Sequence, residues 1–484
     1  MVSSVRRRLS AGAIPTWAIL AVCCAAQFMV VLDVSIVNVA LPKMRADLGL
    51  SADGQQWIVN AYTLTFAGFL LLGGRAADLF GRRRVFMLGL ALFTVSSLLG
   101  GLAQNGASLI AARAVQGIGG AILAPATLSL ITTTFTDPSS RRRALGIWSA
   151  TAASGAAAGV LAGGILTDLL NWRWVLFVNV PIGAVLIAAA AVALTESKAE
   201  NRPSLDVAGA VTVTGGLALL VYGIVSTDTR SWGSAATIFT LLGAAVLLAA
   251  FVVIESRVAK HPLVPLRVFR MRSISASNGI AVMIGAALFG FNFFLSLYLQ
   301  QVNGYGPLKA GLAFLPAALA TMGGAIVGTR LVMRLGARRQ LVIGPLIAAA
   351  GLVWLSQLSA GDGYLVHVFG PLVLAGIGLG MSFVPMTIAA TADVPVHQAG
   401  LASGLINTTR QIGGAVGLAV MATVAAGASS ATSGYDRAFA MSAAVLAIAA
   451  VLALVLPGKP KPERHITSGE EIAEPVLVIE ASGA

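Results

Sequence analysis

The chain has 484 residues, of which 57% are hydrophobic and only 11% are charged, and its mean hydropathy is +0.87. Soluble globular domains average about 25% charged residues. A soluble fold of this length could not cover its apolar surface with so few polar groups. The composition therefore excludes a soluble protein and indicates a polytopic membrane protein. The formal net charge of +13 would also suit a nucleic-acid partner, so the positions of the basic residues have to decide.

Apolar stretches of roughly 20 residues, long enough to cross a bilayer as helices, recur along the chain. Fourteen such spans lie near residues 15–40, 57–76, 85–104, 107–133, 144–168, 174–194, 206–226, 236–255, 274–300, 308–332, 341–360, 365–391, 401–427 and 438–457. The predicted fold class is an all-α polytopic membrane protein. Because the number of spans is even, both termini are expected on one side of the membrane.

Lysine and arginine test this layout. If the N-terminus is cytoplasmic, the cytoplasmic tails and connections hold 24 basic residues and the outer connections hold six, while Arg113 and Arg410 lie inside spans. Such a bias is what the positive-inside rule requires. The surplus positive charge is explained by topology, so the sequence implies no nucleic-acid partner.

Two sequence patterns repeat eight spans apart. GRAADLFGRRR (74–84) follows the second span and TRLVMRLGARR (329–339) follows the tenth, while GIGGAILAP (117–125) in the fourth span resembles GIGLGMSFVP (376–385) in the twelfth. We expect two six-helix halves, 15–194 and 274–457, with two inserted helices in 206–255. A cytoplasmic tail would cover 1–14 and a disordered one 458–484. Parallel halves around a site near the midplane are common in secondary transporters.

The first span contains one charge, Asp33, in LDVSIVNVALP. An ionisable side chain in hydrocarbon costs about 2.5–3.5 kcal/mol on insertion scales. Asp33 is expected in the outer half of its span, and Arg113 in the fourth span at a compatible depth. A proton or a cationic ligand would then compete with Arg113 for the carboxylate. The alternative is a static ion pair that holds two helices together.

Other polar residues in the spans are candidates for substrate contacts. Arg410 is expected near the midplane, either as a substrate contact or as a hydrogen-bond donor in helix packing. The ninth span, FGFNFFLSLYLQQ, mixes aromatic with polar side chains, as cavity walls do, although such aromatics also face lipid or core. The full candidate set is Asp33, Tyr62, Asn292, Gln300, Asn407 and Arg410.

The connection after the second span combines glycines, Asp78 and three arginines: Gly74, Gly81 and Arg82–Arg84. Gly81 permits a tight turn, and the arginines can reach lipid headgroups or helix C-termini. Asp78 is either a gate that pairs with a basic residue of other helices or a solvated acidic residue. In the fifth span, Gly155, Gly159, Gly163 and Gly164 favour close helix packing.

Together these stretches resemble the major facilitator superfamily, specifically its fourteen-helix drug:proton antiporter branch of EmrB/QacA type. LDVSIVNVALP resembles the first-helix motif, GRAADLFGRRR the loop motif, and LIAARAVQGIGGA the fourth-helix motif whose arginine is associated with proton coupling. WRWVLFVNVPIG (172–183), GYGPLKAGLAFLP (304–316) and NTTRQIGGAVG (407–417) also read like this branch. The chain departs from the antiporter motif at Val160, where that motif has proline after Gly159.

The residues and the resemblance together imply proton-coupled efflux of small hydrophobic compounds, cationic ones included, by alternating access. Asp33 would bind a proton or part of the substrate, and Arg113 would adjust its proton affinity. The proton gradient would replace any cofactor or metal, and the protein would act as a monomer in a bacterial cytoplasmic membrane. Proton symport or uniport of a nutrient is the alternative. An enzyme or receptor is disfavoured, because the four scattered histidines form no catalytic set and no Walker motif is present.

Overall fold

The computed structural model describes residues 15–197, 205–228, 230–358, 363–392 and 399–457, and their regular structure is helical throughout. Both predicted tails, 1–14 and 458–484, lie outside these ranges. Fourteen helices of at least 19 residues follow one another: α1 (Thr16–Leu48), α2 (Ala52–Phe80), α3 (Arg82–Gly101), α4 (Gly106–Thr134), α5 (Pro138–Leu169), α6 (Trp174–Ala193), α7 (Val207–Val225), α8 (Ala235–Val253), α9 (Arg272–Leu297), α10 (Pro307–Leu335), α11 (Ala337–Leu355), α12 (Gly370–Thr391), α13 (Ala399–Ala426) and α14 (Ala431–Ala453).

Thirteen of these helices are long and apolar enough to cross a membrane. The fourteenth, α13, has 28 residues and carries the polar stretch NTTRQ in its interior. The predicted fold class is therefore confirmed. Odd-numbered helices begin at one end of the bundle, where the basic motifs 82–84 and 338–339 lie. We call this end the basic face and the other end the opposite face.

Seven of the fourteen helices are longer than the predicted spans, and α1 is an example. It contains Pro42 and continues to Leu48, where Gly49 at φ 60° ends it and donates its N–H to the carbonyl of Arg45. A proline removes only one hydrogen bond, so here it does not end the helix. Asp33 lies near the middle of α1. Its place in the outer half of the membrane span stays a prediction.

Helices eight positions apart make corresponding contacts. The pair α1–α5 packs as α9–α13 does, α2–α4 as α10–α12, and α3–α4 as α11–α12. The inserted helices α7 and α8 pack on each other, and α7 also contacts α2 and α13. The inserted pair thus covers one side of the seam between the halves. The exact domain limits stay a prediction.

Glycines bring α5 unusually close to α1. A Cβ atom on Gly155, Gly159 or Gly163 would lie 2.9, 2.6 or 2.8 Å from a carbonyl oxygen of α1. Those oxygens belong to residues one turn apart along α1, the middle one being Leu32, next to Asp33. Small residues at this spacing allow two helix backbones to touch. The segment of α1 around Asp33 is therefore held by direct backbone packing.

The other side of α5 packs on α10 and joins the two halves. A Cβ on Gly164 would lie 2.8 Å from the carbonyl oxygen of Pro307, and one on Gly311 would lie 2.8 Å from that of Val160. α5 is helical from Pro138 to Leu169. This range includes Val160, the position at which the antiporter motif has proline. Val160 thus supplies a backbone contact at the opposite-face half of the α5–α10 interface.

Gly159→Ala is expected to lower the melting temperature of the detergent-solubilised protein, because its methyl group would push α5 away from the Leu32 carbonyl. Gly146, in the same helix, is the matched control, since a Cβ there meets nothing within 4 Å. Gly146→Ala should stabilise the helix by about 0.5–1 kcal/mol. Equal melting temperatures for the two variants would contradict the close packing of α1 and α5.

Candidate functional site: a buried charge network

The two charges predicted inside the first half of the bundle form an ion pair. Arg113 Nη1 lies 2.6 Å from Asp33 Oδ2, and the two residues are 2% and 0% exposed. Asp33 comes from the middle of α1 and Arg113 from the second turn of α4, which runs in the opposite direction. The pair compensates both charges within an apolar bundle.

Amide side chains surround the carboxylate. Gln116 of α4 and Asn179 of α6 each donate a hydrogen bond to Asp33 Oδ1 at 2.8 Å. Both amides also donate to the hydroxyl of Ser97 in α3, at 3.2 and 3.0 Å, and that hydroxyl donates to the carbonyl of Leu176. Asp33 thus accepts from one guanidinium and two amides. Hydrogen bonds to a charged group are worth about 1.5–3 kcal/mol each.

Arg113 is held on several sides as well. Its Nη1 donates to Gln116 Oε1 at 2.7 Å and its Nε to the carbonyl of Ile58 at 3.4 Å. The guanidinium carbon lies 4.3 Å from the centroid of the Tyr62 ring, which is cation–π distance. The buried Tyr62 hydroxyl has no hydrogen-bond partner among the described residues. Every side chain of this network belongs to helices α1 to α4 and α6, within one half.

Three members of the network were missed by sequence reasoning. Gln116 follows Arg113 by three residues, so both lie on one face of α4, and this spacing was a usable signal. Asn179 lies in WRWVLFVNVPIG, where a lone amide in an apolar span already called for a partner. Ser97 carries no comparable signal, because serine is common at helix contacts in membranes.

Arg410 and Asn407 form a second polar contact, on α13. Arg410 Nη2 donates to Asn407 Oδ1 at 2.7 Å, and its guanidinium carbon lies 5.3 Å from the Phe383 ring of α12. The side chain is partly exposed, and no carboxylate of the described residues lies within ion-pair distance of it. No carboxylate of the described part of the chain therefore neutralises its positive charge.

The two remaining substrate candidates lie on α9 and just beyond it, and their amides are engaged. Asn292 donates to the carbonyl of Leu288 in its own helix at 2.7 Å. Gln300 donates to the carbonyl of Val39 in α1 at 3.0 Å, which makes it a contact between the halves near the opposite face. The six candidates thus do not form one contiguous set of contacts among the described residues. Asp33 and Tyr62 meet at Arg113, and Asn407 meets Arg410.

The loop motif turns at Gly81, whose φ of 108° suits glycine. Asp78 pairs with Arg82 at 3.0 Å, and Arg82 Nε donates to the Ser129 hydroxyl of α4 at 2.7 Å. The described contacts of Asp78 are therefore made within its own half. Among the described residues, no basic residue of the second half pairs with Asp78 in this conformation, and its role as a gate stays a prediction.

The other arginines of the motif bind the end of α6. Arg83 donates to the carbonyl of Ala191 at 2.7 Å, and Arg84 pairs with Glu196 at 3.6 Å. A Cβ on Gly81 would collide with the Glu196 carboxylate, whereas one on Gly74 would make only ordinary contact with Pro125 at 3.5 Å. Glu196 was not anticipated, because its place beside the motif depends on how α6 ends.

A helical bundle with repeated halves, membrane-spanning helices and a buried ion pair is the architecture of a secondary transporter. Residues 23–418 match the Major Facilitator Superfamily. The chain belongs to this superfamily.

Its relatives include named export and resistance proteins. It is 46% identical over 449 residues to the cephamycin export protein of Amycolatopsis lactamdurans, covering 90% of this chain and 92% of the relative. It is 39% identical over 459 residues to the puromycin resistance protein of Streptomyces alboniger, covering 91% of each. It is 37% identical over 399 residues to the tetracenomycin C resistance and export protein of Streptomyces glaucescens, covering 82% of this chain and 74% of the relative.

Removal of one charge of the buried pair is expected to destabilise the protein more than removal of both. Breaking a buried ion pair costs about 3–5 kcal/mol, because the remaining charge is uncompensated. Arg113→Gln should therefore lower the melting temperature strongly, and Asp33→Asn in the same chain should restore part of the loss. A double variant that melts no higher than Arg113→Gln alone would show that the two charges are not coupled.

Proposed function

We propose that this protein exports small, largely hydrophobic compounds, antibiotics among them, in exchange for protons. The observation that carries the proposal is the fully buried Asp33 carboxylate, held by Arg113 and two amides in a span that carries no other charge before Leu41. Intramembrane ionisable residues default to a functional role. The names of the relatives, which describe export of or resistance to antibiotics, support the direction of transport.

Protonation of Asp33 would change the network in a defined way. A neutral carboxyl group is a weaker acceptor for Arg113, whose buried charge would lose its counter-charge. An uncompensated buried charge is costly, so the protonated state favours an arrangement in which Arg113 gains water or another partner. Proton binding would thereby shift α1 relative to α4, and it would be coupled to the conformation of the first half.

The contacts between the halves suggest which state this conformation represents. The Ser296 hydroxyl donates to the carbonyl of Asn38 at 2.9 Å, beside the Gln300–Val39 contact, and α5 touches α10 at the same end of the bundle. We infer a conformation closed at the opposite face. In the alternate conformation these contacts would separate, and Asp78 with its basic neighbours would close the basic face.

The proposed proton site and the contacts that close the opposite face lie on the same helix, α1. Asn38 follows Asp33 by five residues, so the two lie about 7.5 Å apart along α1 at 1.5 Å per residue. A displacement of α1 at the charge network would therefore be felt directly at the contacts with α9. This gives alternating access a mechanical connection to proton binding.

Substrate contacts are proposed mainly at Arg410 and Asn407, together with Phe383 and Tyr62. A partly exposed guanidinium without a carboxylate partner can donate to ligand oxygens or lie over an aromatic ring. The proton gradient alone would drive the cycle, without cofactor or metal. The protein would work as a monomer in the cytoplasmic membrane of a bacterium, with both termini cytoplasmic and no enzymatic activity.

The deciding experiment measures proton movement in inside-out membrane vesicles energised to a proton gradient and read with a pH-sensitive dye. Puromycin, tetracenomycin C, a cephamycin and ethidium are added in turn. In wild type, at least one compound should partly collapse the gradient, whereas Asp33→Asn should abolish this response without loss of membrane insertion, because the neutral amide cannot exchange a proton.

Asp47→Asn is the matched control, since it makes the same change on the same helix at a carboxylate exposed near the opposite face. This variant should respond as wild type does. Full coupling in Asp33→Asn would exclude Asp33 as the proton site. If no compound affects the wild-type gradient, while gradient-driven accumulation of a nutrient is observed in intact cells, the protein is an importer.

Arg410→Gln should distinguish a substrate contact from a packing donor. Loss of hydrogen bonds to a charged group costs about 1.5–3 kcal/mol, so a substrate contact predicts a tenfold or larger rise in the concentration needed for half-maximal efflux. The melting temperature should change little, because among the described residues the polar partner of the Arg410 side chain is Asn407, in its own helix. A large loss of stability with unchanged efflux kinetics in the remaining protein would assign Arg410 to packing.

A further inference from the structure

A cavity of about 250 Å³ lies between the two halves near the opposite face. The first half contributes the end of α1 and the start of α2, and the second half contributes α9, α13 and α14. Its lining includes Arg45, Gln55, Gln56, Phe294, Gln301 and Tyr435. None of these residues belongs to the Asp33 network, so the cavity is separate from the proposed proton site.

Two glutamines in the lining have unused donors. Gln55 and Gln56, in the first turn of α2, are 1% and 2% exposed, and the side-chain amide nitrogen of each has no hydrogen-bond partner among the described residues. A buried donor without a partner costs about 1–3 kcal/mol. Two such donors beside one cavity point to an occupant that supplies oxygen acceptors.

The facing wall is aromatic. Phe293 and Phe294 pack edge to face with ring centroids 5.3 Å apart, and Phe294 also contacts the Tyr435 ring at 5.9 Å. The Tyr435 hydroxyl donates to Gln301 at 2.8 Å and is therefore satisfied. An apolar wall opposite a few polar groups is typical of small-molecule sites.

Charge in the lining is balanced. Arg45, whose Nε donates to the carbonyl of Leu50, and Asp53 both line the cavity. One charge of each sign favours a neutral or zwitterionic ligand over a simple ion. A second cavity, lined by Pro42, Ala46 and other residues at the end of α1, shares Arg45 and Gln301 with the first. It lies on the side toward the surface of the opposite face.

We propose that this cavity is a second ligand site, which holds the exported compound before its release at the opposite face. The ligand is a neutral or zwitterionic amphiphile with an aromatic or branched apolar body and carbonyl or carboxyl oxygens. The oxygens accept from Gln55 and Gln56, and the apolar body packs on Phe293 and Phe294. The inference rests on the proposed export function and adds a site and a ligand chemistry to it.

The test replaces both donors, in Gln55→Leu/Gln56→Leu, and measures binding of radiolabelled puromycin, tetracenomycin C and a cephamycin to the purified full-length protein in lipid nanodiscs. Because these amide nitrogens have no partner among the described residues, their loss should leave the melting temperature unchanged or raised. A ligand site instead predicts at least tenfold weaker binding of the compound that wild type binds. Ala422→Phe, which fills the cavity from α13, should weaken the same binding.

Thr167→Val is the matched control, because it removes a different buried polar group, a hydroxyl that has no partner among the described residues and lies outside the cavity lining. It should leave binding unchanged. Wild-type affinity in both cavity variants, or a loss that Thr167→Val reproduces, would overturn the second site and mean that water fills the cavity. Absence of any binding to wild type would overturn it too. The vesicle assay with wild type and Asp33→Asn decides the export function independently.

Discussion

The compensation of one buried carboxylate organises the first half of this protein. Asp33 can remain ionised in an apolar bundle only because Arg113 and two amides stay within hydrogen-bond distance of it. That requirement fixes the positions of α1, α4 and α6 relative to one another. The glycines of α5 add a second restraint, since Gly159 packs on the carbonyl of Leu32, next to the carboxylate. Helix packing and charge compensation therefore act on the same turn of α1.

Polar contacts attach the inserted helices to the bundle, and they involve a residue that the sequence analysis counts only as a determinant of topology. Arg75 counts as one of the basic residues that orient the chain, yet its guanidinium donates to the carbonyls of His261 and Pro262 in the connection after α8. Glu255 accepts from the backbone of that same connection, at Leu263 and Val264. The inserted pair is thereby fastened to α2 at the basic face, while α7 covers the seam between α2 and α13. When the two halves move relative to each other, these contacts must either move with α2 or break.

Sequence reasoning recovered what depends on local composition. Length and apolarity predict the fourteen helices, and the cost of a charge in hydrocarbon singles out Asp33, Arg113 and Arg410. It failed where several helices have to meet. Ser97 and Glu196 gain their roles from neighbours distant in sequence, so no spacing rule predicts them. The end of α1 was misplaced for a different reason, because the predicted span ends with the apolar run near residue 40, whereas the helix continues through Pro42 to Leu48.

The two halves repeat in packing but not in charge. When the glycine motifs of α4 and α12 are aligned, Leu372 and Ala375 stand where Arg113 and Gln116 stand in the first half, and both are fully buried. In the second half, α12 therefore has no counterpart of Arg113. The charge that the second half carries inside a predicted span is Arg410, on α13. If protons act on the first half and substrate on the second, coupling has to cross the seam. The α1–α9 hydrogen bonds made by Ser296 and Gln300 are polar contacts in a position to transmit it.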